Sequence, residues 1–161
     1  MSVLVFAENW DGKFKKATFE AITYANDVAQ MIGKPVVAVS VGSVGDSDLI
    51  ALGNYGVAKV LKVADNRITE NSIQALATVI SEAAKKESST VLIFAHTFTG
   101  LSAAPKIAAK LDAGYAAGVT KLPSAMDPLK VKRKAFSGKA FADIEIRKKI
   151  SVLTVFPKPK L

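Results

Sequence analysis

The sequence predicts an α/β domain built on a doubly wound, mainly parallel sheet, with an antiparallel hairpin near the C-terminus. Two observations carry that expectation. Short apolar runs of strand length alternate with amphipathic helical stretches over the first 120 residues, and such alternation requires βαβ crossovers. After Gly114 the pattern changes to two strand-like runs separated by Ser137-Gly138, the spacing of a tight hairpin. At 161 residues the chain is expected to fold as one domain, residues 1–157, large enough for a substantial core.

Val3 to Ala7 reads as a short buried strand. Phe14, Ala17, Ala21, Ile22, Ala25, Val28, Ala29 and Ile32 then recur at helical spacing, with Lys15, Glu20, Asn26 and Gln30 on the opposite face, as an amphipathic helix requires. Gly33 supplies its stop and Pro35 forbids continuation. Pro35 to Ser40 is the second strand. A short helix is expected from Asp46 to Leu52, ended by Gly53-Asn54-Tyr55-Gly56, and a third strand over Lys59 to Val63. Thr69 is the expected N-cap of the next helix, which runs through Ile73, Leu76, Ala77, Ile80 and Ala84. Thr90 to Ala95 is the fourth strand, followed by a helix from Ser102 to Leu111 with Pro105 in its first turn, where a missing N–H costs little. Pro123 and Pro128 punctuate a loop. Leu129 to Phe136 and Lys139 to Ile146 form the hairpin, and Ser151 to Phe156 is the final strand.

Half the residues are hydrophobic and 22% are charged, a globular composition. The chain lacks cysteine, which excludes disulfides, thiolate nucleophiles and Cys-based metal sites. No apolar run reaches the roughly 18 residues of a membrane span, and the N-terminus lacks a basic n-region and cleavage site. The expectation is a cytoplasmic protein without membrane insertion. The formal charge of +8 is concentrated near the C-terminus, where ten basic residues between Lys130 and Lys160 face only Asp143 and Glu145; residues 1–129 carry 12 of each sign.

Chemistry has few places to reside. His96 is the only histidine, so no His/Cys metal set is available, and there is no Gly-x-Ser-x-Gly elbow. It reads as a structural or interface residue at a strand end; no catalytic residue and no metal ligand is assigned. Thr97, Thr99, Gly100 and Ser102 follow the fourth strand at a helix start, where free N–H groups favour an anion. They are the best phosphate candidates, set against a reading in which Ser102 only caps the helix and Gly100 makes the turn. Gly42-x-x-Gly45 lacks one glycine of a dinucleotide turn, and Asp46 and Asp48 would repel a phosphate. The loop Glu8 to Lys13 carries no glycine-rich phosphate cradle. In the hairpin, Lys130, Lys132 and Lys134 share one face, available in principle to nucleic acid. Phe136 and Phe141 flank the turn instead of interleaving with the cations as stacking platforms would.

Several stretches, in order and spacing, resemble the N-terminal domain of the electron transfer flavoprotein alpha subunit. These are Val3-Leu4-Val5-Phe6-Ala7-Glu8 with its loop Asp11-Gly12-Lys13; Gly56-Val57-Ala58-Lys59-Val60-Leu61; the strand, Thr-x-x-Gly turn and proline-containing helix running to Asp112; Phe136-Ser137-Gly138-Lys139-Ala140; and Val152-Leu153-Thr154-Val155-Phe156-Pro157. One departure is Phe156, where the family usually has arginine. The resemblance implies an adenine nucleotide alpha hydrolase-like fold and a beta-subunit partner. It also implies an FAD-carrying second domain of the alpha subunit that is absent from this chain, with residues 158–161 beginning the interdomain linker. FAD is then expected in the intact alpha/beta protein, with no FAD-binding residue in this chain.

The function expected from that resemblance is a scaffold supporting a flavin that takes electrons from dehydrogenases and passes them to a downstream acceptor. Two alternatives stand beside it. One is an adenine-nucleotide module of the universal stress protein type using Thr97 to Ser102, although that family's glycine spacing is lacking there. The other is a basic nucleic-acid-binding domain, the less expected partner class.

Overall fold

The computed structural model describes residues 1–64, 72–135 and 138–157. Its strands are β1 (Ser2–Phe6), β2 (Asn9–Trp10), β3 (Lys13–Phe14), β4 (Val36–Val41), β5 (Val57–Val63), β6 (Ser89–Ala95), β7 (Gly114–Val119), β8 (Ala125–Met126), β9 (Leu129–Ala135), β10 (Ala140–Ile146) and β11 (Ser151–Val155). The α-helices are α1 (Lys16–Ile32), α2 (Asp46–Ala51), α3 (Ile73–Lys86) and α4 (Phe98–Leu111), and a 3-10 turn spans Leu52–Tyr55.

Nine strands form one sheet in the order β10-β9-β7-β11-β6-β1-β4-β5, with β8 paired to β9 off that path. Strands β7, β11, β6, β1, β4 and β5 run parallel, while β9 and β10 extend the sheet antiparallel. The doubly wound α/β fold expected from the sequence is therefore present. Alternate residues of each central strand serve opposite faces. Val3, Val5, Ile93 and Leu153 join one buried cluster with Ile22, Ala25 and Val28 of α1. Leu4, Phe6, Leu92, Phe94 and Val152 join another with Leu76 and Ile80 of α3 and Ala104 and Ile107 of α4.

Local signals place most boundaries. Gly33 takes the left-handed conformation, φ 64°, and its N–H reaches back to the Ala29 carbonyl, ending α1 as expected. Other expectations need correction. Phe14 belongs to a two-stranded ribbon with Asn9 and Trp10, and α1 begins only at Lys16. The turn after α2 continues as a 3-10 helix through Tyr55 before Gly56 closes it. Helix α4 begins at Phe98, so Thr97 and not Ser102 is its N-cap. Pro105 consequently lies in the helix interior, where it cannot supply the N–H for the Leu101 carbonyl. Thr69, the expected cap of α3, and the hairpin-turn residues Phe136 and Ser137 lie outside the described residues, as do residues 158–161. Strands β7 and β8 were not expected at all. Gly114-Tyr115-Ala116-Ala117-Gly118 is poor in β-formers, and its strand state depends on pairing with β11, which reaches it from 32 or more residues downstream.

Candidate functional site

Because the six central strands are parallel, their carboxyl ends and following loops share one edge. The strand order reverses at β1, whose neighbours are β4 on one side and β6 on the other. Open α/β sheets bind ligands at such a switch point. Here it lies between Glu8, two residues beyond β1, and Thr97, two beyond β6.

That crevice is filled from within. Glu8 is only 3% exposed, and its Oε1 accepts a hydrogen bond of 2.6 Å from the Thr97 hydroxyl. The same Thr97 oxygen accepts the Gly100 N–H at 3.0 Å, satisfying one of the free donors of the first turn of α4. A carboxylate at a helix N-terminus is also favoured by the helix dipole. The remaining anion candidates are arranged around this contact. Thr99 and Gly100 are buried inside α4, and Ser102 Oγ donates to the Phe98 carbonyl at 2.8 Å. Gly100 permits the arrangement: a Cβ there would stand 2.1 Å from the Ala95 carbonyl oxygen. The only sequence signal for the role of Glu8 is its position directly after the first strand; its partner Thr97 lies 89 residues away.

His96 belongs to a separate stack next door. Its backbone N–H donates to the Val155 carbonyl at 3.0 Å, and its Nδ1 lies 3.0 Å from Thr154 Oγ1. Thr154 is fully buried and its oxygen also accepts the Gly118 N–H at 2.9 Å. A hydroxyl so enclosed is not presented to a substrate; the pair ties β6, β7 and β11 together. The imidazole rests on the Phe156 ring with centroids 4.0 Å apart, and the Lys134 ammonium sits 4.6 Å from that ring. Partial burial, reinforced by the Lys134 charge, holds the His96 pKa below its usual value. Phe156 thus makes ring and cation–π contacts where a polar contact had been left open. Gly118, at φ 72°, would bring a Cβ within 2.9 Å of the Phe156 ring, so only glycine fits that position without strain.

Two small crevices open beside the stack. One, of about 100 Å³, is lined by Ala17, Glu20, His96, Thr97, Phe156 and Pro157 among others. The other, of about 50 Å³, lies between α1 and the segment after β7. Neither fits a flavin or a nucleotide, whose pockets run to roughly 300–1,000 Å³. Among the described residues no group of three or more His, Asp or Glu side chains is placed to hold a metal, and no helix is long and apolar enough to cross a membrane.

The family model described as Electron transfer flavoprotein domain matches residues 3–159. The chain belongs to this family. It is 30% identical over 144 residues to the electron transfer flavoprotein subunit alpha of Clostridium acetobutylicum, covering 88% of this chain and 43% of that protein. The corresponding Thermoanaerobacterium thermosaccharolyticum subunit is 32% identical over 148 residues, covering 89% of this chain and 44% of that protein. An Acetobacterium woodii protein named lactate dehydrogenase (NAD(+),ferredoxin) subunit LctC is 29% identical, covering 88% of this chain and 34% of that protein. The chain therefore spans less than half the length of these relatives.

In this electron transfer flavoprotein domain the basic excess does not form one continuous face. Lys130, Lys132 and Lys134 are all exposed on β9, yet they stand opposite Glu145, Asp143 and Phe141 of β10. Lys132 is 3.9 Å from the Asp143 carboxylate, and Lys134 turns to Phe156. Arg147, Lys148 and Lys149 instead line a cleft at the opposite end of the sheet, together with Lys34, Met126 and Leu129.

Proposed function

We propose that this chain is the scaffold domain of an electron transfer flavoprotein alpha subunit. It packs against a beta subunit and supports an FAD-bearing domain that accepts electrons from dehydrogenases and delivers them to a downstream acceptor. Residues 1–157 form the scaffold unit. The observation that carries this reading is the similarity to alpha subunits over 88% of the chain. Supporting it, the Glu8 carboxylate occupies the switch point where a nucleotide phosphate would otherwise be held. Thr97, Thr99, Gly100 and Ser102 are read here as an internally satisfied helix start.

The test is co-expression with a beta subunit, followed by co-purification and a visible spectrum of the chain alone. A stable complex is expected, with no flavin absorbance from the isolated chain. Calorimetry with ATP and AMP distinguishes the stress-protein alternative: tight binding would overturn the scaffold reading.

A further inference from the structure

Among the described residues, two buried atoms at the carboxyl edge of the sheet, Glu20 Oε2 and Thr120 Oγ1, have no hydrogen-bond partner. Both residues line the same crevice, with Tyr24, Asp27, Lys121 and Phe156. Its floor is hydrogen-bonded. The buried Tyr24 hydroxyl donates to the Lys121 carbonyl at 2.8 Å, and the Thr120 N–H donates to the Lys132 carbonyl at 3.2 Å. Both residues with an unsatisfied side-chain atom thus border hydrogen-bonded backbone groups of Thr120 and Lys121. Lys16 approaches only the other Glu20 oxygen, at 3.6 Å.

A buried carboxylate oxygen without a donor is costly, and orphaned groups of this kind are few in native structures. The missing chemistry is specific. A carboxylate oxygen only accepts, and a hydroxyl can accept as well, so the occupant must bring at least two donors and preferably positive charge. At about 50 Å³ the crevice admits one side-chain tip. A guanidinium fits these demands better than an ammonium, because its donors form a planar fork that can reach two acceptors at once. Leu122, in the wall of the crevice, is 43% exposed. A desolvated polar anchor among apolar contacts is the arrangement of a protein–protein hot spot, in which arginine is enriched.

We infer that the crevice between α1 and the segment after β7 receives an arginine side chain of the protein partner docked on this edge. The inference rests on reading the chain as a docking subunit and names the contact. Two measurements test it. The isotope-labelled chain is titrated with ethylguanidinium, with tetramethylammonium at equal ionic strength as the donor-free control. Saturable amide shifts at Glu20, Thr120 and Phe156 are expected with the first cation only. Second, beta-subunit affinity is compared between the wild type and Glu20→Gln, which keeps the side chain's size and removes its charge. The variant is expected to melt close to the wild type, because Glu20 loses only a partly exposed ion pair with Lys16, yet to bind about tenfold more weakly or worse. Equal shifts with both cations, or none with either, would show that the crevice does not recognise a donor fork, and would overturn the inference. So would equal affinity of the variant and the wild type, which leaves the subunit reading intact. If the wild type fails to bind the beta subunit at all, the subunit reading is overturned and the partner assignment with it.

Discussion

Gly100 is held to glycine by a neighbouring carbonyl, not by its own backbone angles. A methyl group there would meet the Ala95 oxygen at 2.1 Å, and a strand carbonyl cannot step aside as a flexible side chain would. Helix propensity favours alanine over glycine by about 1 kcal/mol, so the two effects oppose each other and the overlap wins. Gly100→Ala is expected to lower stability by about 2 kcal/mol in chemical denaturation; an unchanged or raised midpoint would show that α4 is not pressed against β6. His96 offers a second check, since it is the chain's only histidine and its ring signals are unambiguous. Its folded pKa lies below the ordinary value of 6.5, first through burial and then through Lys134. The unfolded chain therefore takes up the proton first as the pH falls. The stability that His96 contributes is complete above about pH 6.5 and is lost as the pH drops through the folded value. Ring-proton titration is expected to give a midpoint under 6.5, and a midpoint above it would contradict the stack. In the sequence His96 was legible as structural, but its partners Thr154, Phe156 and Lys134 are 38 or more residues away and left no local signal.

At the scale of elements, buried periodicity located β1, β4, β6, α1 and α3, because each buries a face whose spacing is written locally. Helix α4 shows where such signals mislead. Ser102 and Pro105 together look like a helix start, yet the cap is Thr97 and the proline falls inside. Threonine wins because its hydroxyl reaches both Gly100 N–H and Glu8, a contact that only the fold provides. Pro105 is exposed, so replacing it leaves packing largely untouched. Pro105→Ala is expected to raise stability by about 1–3 kcal/mol through the restored helix bond, less what the unfolded chain regains in freedom. Thermal unfolding reads the change; a lower midpoint would mean that the proline fits α4 better than alanine does. The hairpin was legible through its Ser137-Gly138 spacing. That β9 would pair β10 in a register setting Lys132 against Asp143 was not, because pattern alone does not align two strands.

At the scale of the whole molecule, the two apolar clusters lie on opposite faces of one sheet and are joined by the same central strands. Neither can lose its packing without exposing the other side of those strands. Unfolding is therefore expected in a single transition. Trp10, the only tryptophan, reports on the carboxyl edge through its loop and the Lys15 ammonium 5.0 Å from its ring. Its fluorescence midpoint should coincide with that of far-ultraviolet circular dichroism; an earlier fluorescence transition would mark the edge as a separate unit.

The chain's composition and periodicity determined by themselves that this protein is an α/β domain with a parallel sheet, since apolar spacing is a local property and dictates which faces must be buried. Motif order was enough to suggest the flavoprotein family. Only the tertiary structure decided that β11 inserts between β6 and β7, and that Glu8 closes the switch point through Thr97. It alone brought Glu20 and Thr120, each with a side-chain oxygen unpaired among the described residues, to the lining of one crevice. Those features depend on contacts between residues tens of positions apart, whose distances are fixed by the packing of the whole sheet and not by any stretch of chain.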